Sequence, residues 1–160
     1  MVIRRASEED LDSIYLIEAT NFAEGVATTR EAFEEKLSIQ QGHFLVAEDQ
    51  GKIVGFIEGF ASDSPWVQDF MFHGSDGFDS QGAHEALLSL AVLPDYQSKG
   101  YGRALMQQMI QDCRDRQQKS VALTCLKGLI PYYERLGYRL AQESDSKHGG
   151  QTWYDLYIEF

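Results

Sequence analysis

Gln97-Ser98-Lys99-Gly100-Tyr101-Gly102 stands between the apolar run LLSLAVL (87–93) and a segment with apolar residues at 105, 106, 109, 110 and 113. The run reads as a buried strand and the segment as an amphipathic helix. A strand, a glycine-bearing turn and a helix N-terminus together make an anion site. Unpaired amides point outward there, and the helix dipole adds about half a positive charge. Gly100 and Gly102 let a phosphate approach the backbone, while Lys99 and Arg103 supply positive charge. Neither common nucleotide motif fits. A dinucleotide fingerprint needs a third glycine where Leu105 stands and an acid after the next strand, where Leu126-Lys127-Gly128 stands; no Gly-Lys-Ser/Thr of a P-loop occurs.

The elements that must hold this turn follow from periodicity and punctuation. A short β-prone opening (2–6) precedes Ser7-Glu8-Glu9-Asp10, a cap with first-turn acids, and then Leu11, Ile14, Tyr15 and Ile17 at helical spacing. Thr28-Thr29-Arg30-Glu31 announces a second helix, with Ala32, Phe33 and Leu37 on its buried side. Residues 44–47 and 53–57 read as strands joined by a turn at 49–52. Periodicity fails over 61–85, a stretch long enough to predict a binding loop or flap. It carries Trp66, Phe70, Met71 and Phe72 among Asp63, Asp69, Asp76 and Asp79, a mixture suited to an ammonium compound or to covering a sheet edge. Strand 86–93, helix 102–117, strand 121–126, a short helix 129–136 capped by Gly137, and strands 138–141 and 152–160 complete the chain. The predicted fold is a single α+β domain over 1–160, in the order β-α-α-β-β-β-α-β-α-β-β, with a mixed sheet and one strand–helix–strand crossover at its centre.

The 160 residues can bury roughly two-thirds of their unfolded surface. With 14 basic against 25 acidic residues, the net charge is -11. That excludes a nucleic-acid groove and favours the approach of cationic small molecules such as amines. Cys113 and Cys125 fall on apolar faces and read as buried, reduced thiols. No apolar run approaches membrane-spanning length and no leader is evident at the start, so a cytoplasmic protein is expected. The histidines and cysteines lack metal-ligand spacing, His84-Glu85 does not open a zinc helix, and no Gly-x-Ser-x-Gly elbow appears. No metal is expected.

Gln97-x-x-Gly100-x-Gly102 resembles the acyl-CoA pyrophosphate loop of the GNAT superfamily of N-acetyltransferases. The preceding Ser89-Leu90-Ala91-Val92 through Pro94-Asp95-Tyr96 is similar to that family's central strand and its exit. YYERLGY (132–138), preceded by Pro131, resembles its segment after the next strand. The element order is the family's too, so the resemblance covers most of the chain. The segment SKHGGQTWYD (146–155) is similar to the C-terminal hairpin of arylalkylamine N-acetyltransferase-like bacterial members.

The resemblance implies acetyl-CoA as cosubstrate. Its pantetheine would lie along Leu90, Ala91 and Val92, and its pyrophosphate on the amides of Gln97, Ser98, Lys99, Gly100, Tyr101 and Gly102, with Arg103 beside them. Tyr133 matches the tyrosine that protonates the departing thiolate in many members. A phenol near pKa 10 donating to a thiolate near 8.5 works uphill by roughly 2 kcal/mol, small against a typical barrier. Tyr132 faces another way and reads as structural.

The acceptor amine must be neutral to attack, and an amine of pKa near 10 is only about 0.1% free base at pH 7, a penalty of roughly 4 kcal/mol. The resemblance would place two histidines on the central strand, where Ala86 and Leu88 stand instead. The base candidates are therefore His84 and Glu85, with a water chain as the remaining route. Glu24 is a candidate amine anchor, and Trp66 and His148 are candidate acceptor-site residues. The expected activity is transfer of acetyl from acetyl-CoA to the primary amine of a small molecule by direct attack in a ternary complex. The alternatives are a protein or peptide amine acceptor and a catalytically silent acyl-CoA-binding module. A homodimer is a further expectation; nucleic-acid and membrane partners are not expected.

Overall fold

The computed structural model describes residues 1–22 and 27–160, with His148 described by its backbone alone. The elements are β1 (Val2–Arg5), α1 (Leu11–Asn21), α2 (Arg30–Ile39), β2 (Phe44–Asp49), β3 (Lys52–Ser62), β4 (His84–Val92), α3 (Tyr101–Asp115), β5 (Ser120–Cys125), α4 (Ile130–Arg135), β6 (Arg139–Glu143) and β7 (Tyr154–Glu159). The predicted α+β order holds throughout. Thr29 caps α2 by accepting from the Ala32 amide at 3.2 Å. Gly137, at φ 104°, ends the α4 turn in the left-handed conformation that Cβ disfavours.

The seven described strands form one sheet in the order β1-β2-β3-β4-β5-β7-β6. Every neighbour pair is antiparallel except β4 and β5. Period-two alternation sends the strand residues to two helical layers. Phe44, Val46, Phe56 and Ala91 pack with Ile14, Ile17, Phe33 and Leu37 of α1 and α2. Leu45, Ala47, Ile57, Leu87, Val121 and Leu123 pack with Leu105, Met106, Met109 and Cys113 of α3. Cys113 and Cys125 are both buried free thiols, as expected.

The segment between β3 and β4 is less irregular than its sequence suggests. β3 runs on to Ser62, β4 begins at His84, and a single helical turn occupies Asp69–Phe72. Phe60, Val67, Met71 and Ala86 form a small core of their own, with Phe72, Phe78 and Leu88 against it. Of the four large residues read in this flap, Met71 is buried in this core and Phe72 packs against it, while Phe70 is exposed.

Beneath the start of β4 lies a buried polar knot. Glu85 is fully buried and accepts from Gln118 Nε2 at 2.9 Å and Arg116 Nη2 at 3.4 Å. Both of its oxygens lie within 3.0 Å of His43 Nδ1. Its Oε2 fills the space where a Cβ on Gly59 would stand, so β3 can pass only as glycine. A carboxylate with this many donors stays put, because moving it would leave buried donors unpaired. Gly59→Ala is therefore expected to cost about 2 kcal/mol, a fall in Tm of roughly 4–8 °C by calorimetry. An unchanged Tm would mean that the carboxylate moves aside freely.

Candidate active site

β4 and β5 pair only at His84–Ser120, Glu85–Val121 and Ala86–Ala122. Beyond these three pairs the two parallel strands separate. The gap is a cavity of about 330 Å³ lined by Leu87, Leu88, Ser89 and Leu90 from β4 and by Leu123, Thr124 and Cys125 from β5. Tyr133, Glu18, Phe22, Phe72 and Trp153 also line it. The volume and the mainly apolar lining with a few polar groups are those of a small-ligand site.

At the far end of β4 the chain makes the turn Pro94–Tyr96 and enters α3. Gln97 Nε2 donates to the Val92 carbonyl at 3.0 Å and to Asn21 Oδ1 at 3.2 Å, tying the turn to the strand end and to α1. Ser98 at φ 61° and Gly100 at φ 94° curl the backbone in the left-handed region, the local geometry of an anion-binding nest. The first bond of α3 runs from the Ala104 amide to the Gly100 carbonyl at 3.0 Å, so the amides of Tyr101, Gly102 and Arg103 precede the helical ladder. Tyr96 carries the Lys99 ammonium 5.6 Å and the Lys52 ammonium 5.5 Å from its ring centroid. Lys52, on the 49–52 turn, adds a cation that the sequence did not single out: nothing in its local pattern relates it to a loop 45 residues away.

Tyr133 stands against Tyr138 and Tyr132, with ring centroids 5.8 and 5.0 Å away. Burial pushes its hydroxyl up to about 12, with Cys125 and Tyr132 adding to the effect. The phenol is therefore a protonated donor throughout the neutral range, and it is a weaker acid than its free pKa implies. Tyr132 is 40% exposed and lies outside the cavity lining, in keeping with a structural part.

The two base candidates from the sequence do not meet this cavity. Glu85 points to the α3 side, into the knot with His43, Gln118 and Arg116. His84 is at the paired end of β4, its Nδ1 2.7 Å from Ser120 Oγ, in a separate hollow with Trp66, Lys119 and Tyr157. Burial and Lys119 hold its imidazole below the usual histidine range. Trp66 packs edge-on against Tyr157 at 5.8 Å, and Phe72, Phe22 and Trp153 occupy the cavity in its place. Of the cofactor strand, Leu90 lines the cavity. Ala91 packs toward α1 and α2, and the Val92 carbonyl is taken by Gln97. Glu24 and the His148 side chain lie outside the described residues.

The residue the sequence reading passed over is Glu18. It follows Ile14 by four positions, so it shares that residue's buried helix face, and an acid on an apolar face was the available signal. Glu18 is 2% exposed and lines the cavity. Its Oε2 accepts from the Thr28 amide at 2.8 Å; its Oε1 has no hydrogen-bond partner among the described residues. Desolvation raises its carboxyl to about 7, opposed by the Thr28 amide and reinforced by the Glu58 carboxylate. Glu58 is itself buried, paired with the buried Lys36, whose ammonium also donates to the Met71 carbonyl.

The sequence pattern of the acetyltransferase (GNAT) family matches residues 8–138 of this chain. The chain belongs to that family. An N-acetyltransferase of Archaeoglobus fulgidus is 31% identical over 130 residues, 77% of this chain and 80% of the relative. A Bacillus subtilis protein named putative ribosomal protein bS18-alanine N-acetyltransferase is 25% identical over 123 residues, 76% of this chain and 67% of the relative. Among solved structures, the loading GNATL domain of CurA from Lyngbya majuscula superposes with a TM-score of 0.83 at 17% identity, over 99% of this chain and 96% of that one; it bears on fold alone. This GNAT chain is an acetyl-CoA-dependent N-acetyltransferase. The splayed strands, the curled loop and the first-turn amides of α3 suit a long thioester with a pyrophosphate at one end.

The raised Glu18 carboxyl has a consequence for stability. Its folded pKa, about 7, lies above the ordinary 4.5. The folded state therefore binds more protons than the unfolded chain between those values, and stability is lost as pH rises through that window. A shift of this size corresponds to about 3 kcal/mol. Glu18→Gln is expected to be more stable than wild type by up to about that amount at pH 8, with no such gain at pH 4, read from Tm at the two pH values. A pH-independent difference would place Glu18 in a solvated setting.

Proposed function

We propose that this N-acetyltransferase takes the primary amine of a small molecule as acceptor, one whose body is apolar and aromatic-compatible. The amine attacks the acetyl-CoA thioester directly, in a ternary complex. The observation that carries the reading is that one cavity is lined by Leu87 to Leu90 of β4 where it parts from β5, by Tyr133, and by the aromatic residues Phe22, Phe72 and Trp153. Acetyl-CoA would extend along Leu90, Ala91 and Val92, its pyrophosphate on the amides from Gln97 to Arg103. A backbone N–H of β4 would polarise the thioester carbonyl, and Tyr133 would donate to the sulfur as it leaves. The aromatic acceptor end supports an arylalkylamine-type substrate.

A peptide amine is the second reading, favoured by the alanine acceptor named for the Bacillus subtilis relative. The small molecule is preferred because Ser146 Oγ donates to Asp69 Oδ1 at 2.7 Å, tying the 144–153 segment to the flap beside the cavity. An extended peptide would need that tie released. No helix among the described residues is long and apolar enough to cross a membrane, and a cytoplasmic location is proposed.

Acetyl-CoA at about 100 times its Kd should stabilise the protein by roughly 2.7 kcal/mol, a rise in Tm of about 5–10 °C. Thiol release should then be faster with phenethylamine than with an alanine-initiated peptide; the reverse order selects the peptide reading. Thermal stabilisation without turnover of any amine leaves a silent acyl-CoA-binding module. Tyr133→Phe should lower kcat by about 10²-fold with little change in acetyl-CoA affinity. Unchanged turnover removes Tyr133 from the chemistry.

A further inference from the structure

The acceptor ammonium has to lose a proton before it can attack, and the residues first suited to that task lie elsewhere: His84 in the hollow beside Trp66, Glu85 in the His43 knot. Among the described residues, the titratable side chains lining the cavity are Glu18, Cys125 and Tyr133. Cys125 and Tyr133 hold their protons more tightly than usual, at about 11 and about 12, so neither accepts one near neutral pH. Glu18 remains. One of its oxygens is fixed by the Thr28 amide; the other is buried and unpartnered among the described residues. A buried carboxylate oxygen without a donor is costly, and such atoms ordinarily have a partner. A ligand that brings an N–H to this oxygen supplies that partner.

We propose that Glu18 is the seat and proton acceptor of the acceptor amine, pairing with the ammonium head of a primary amine whose apolar body rests against Phe22, Phe72 and Trp153. The proposal rests on the acetyltransferase reading of the same cavity. The ammonium R–NH₃⁺ gives one proton to the Glu18 carboxylate, leaving R–NH₂ and a neutral carboxyl. The nitrogen lone pair then forms the C–N bond at the thioester carbonyl carbon. As the C–S bond breaks, the sulfur takes the second N–H proton by way of the Tyr133 hydroxyl. The products are the N-acetyl amine and free CoA thiol, and Glu18 returns its proton to solvent.

The charged surroundings suit the task. Lys36 from α2 favours the ionised form of Glu18, while Glu58 from β3 and desolvation favour the neutral form. The balance leaves the carboxyl close to neutrality, so it gains and loses a proton with little bias at working pH. An ordinary carboxylate near 4.5 would be a weaker base, and one deeper in an apolar core would stay protonated. The Lys36–Glu58 pair thus tunes Glu18 without touching the substrate. The pair is a positioning element beneath the site.

The test uses the full chain with acetyl-CoA and phenethylamine, following thiol release from pH 5.5 to 10. Wild type should show kcat/KM rising through an inflection near 7 and then a plateau up to the amine's own pKa. That shape reports an ionised base acting on an ammonium substrate. Glu18→Gln should lose about 10²- to 10³-fold at pH 7. Its kcat/KM should then climb tenfold per pH unit toward pH 10, because only pre-formed free amine reacts. Glu18→Asp should recover part of the loss and the plateau, and acetyl-CoA affinity should change less than about threefold in both variants. Wild-type turnover with an unaltered profile in folded Glu18→Gln overturns the Glu18 proposal alone. Wild type that binds acetyl-CoA and releases no thiol with phenethylamine overturns the small-amine reading, and the proposal falls with it.

Discussion

The separation of β4 from β5 is the constraint on which the rest of the molecule depends. A parallel pair held at only three positions leaves the facing edges of both strands unpaired beyond Ala86 and Ala122, while β3 and β7 still pair with their outer edges. Backbone polar groups that face such a gap need partners, and the cavity lies where those partners would sit. The same gap admits Tyr133 from α4 and Glu18 from α1, elements from opposite sides of the sheet. What anchors the paired end is the Glu85 knot, whose donors come from the residue before β2 and from the turn after α3. The strands can part at one end because they are clamped at the other.

Three buried carboxyl groups show how environment divides labour among identical chemical groups. Glu85 is saturated with donors and serves packing. Glu58 is matched to Lys36 and forms an ion pair with no solvent exposure, a geometry whose desolvation cost is large unless both partners stay paired. Glu18 keeps one oxygen unpartnered beside the cavity, and its proton affinity rises toward neutrality. Glu58 Oε1 also lacks a hydrogen-bond partner among the described residues, but of the two only Glu18 lines the cavity. The chain is net negative, while Lys52 and Lys99 bring positive charge to Tyr96 at the loop.

The loop and the element order were legible because they are local. Gln97-x-x-Gly100-x-Gly102 lies within six residues, and the helix periods, the Thr29 cap and Gly137 are near-neighbour effects. The rest of the cavity lining was not legible, because it is assembled from residues far apart in the chain. Phe22, Phe72 and Trp153 come from three connections, and the aromatic content of 61–85 gave no sign that Phe72 lines the cavity while Trp66 packs on Tyr157. Glu85 looked like a base because it adjoined His84 on a strand that resembles a catalytic one. Alternation along that strand sends it to the opposite face, toward α3.

By itself the sequence determined the class of architecture, and it pointed to the glycine-bearing turn before α3 and the tyrosine after the crossover. These rest on backbone conformation and on periodicities of 2 and 3.6 residues, which a chain carries at every point along its length. Tertiary structure alone decided which acid meets the cavity. Whether a carboxyl is saturated, ion-paired or left with an empty lone pair depends on donors brought from distant segments. That is why Glu18, on the buried face of α1, lines the cavity that His84 and Glu85 do not reach.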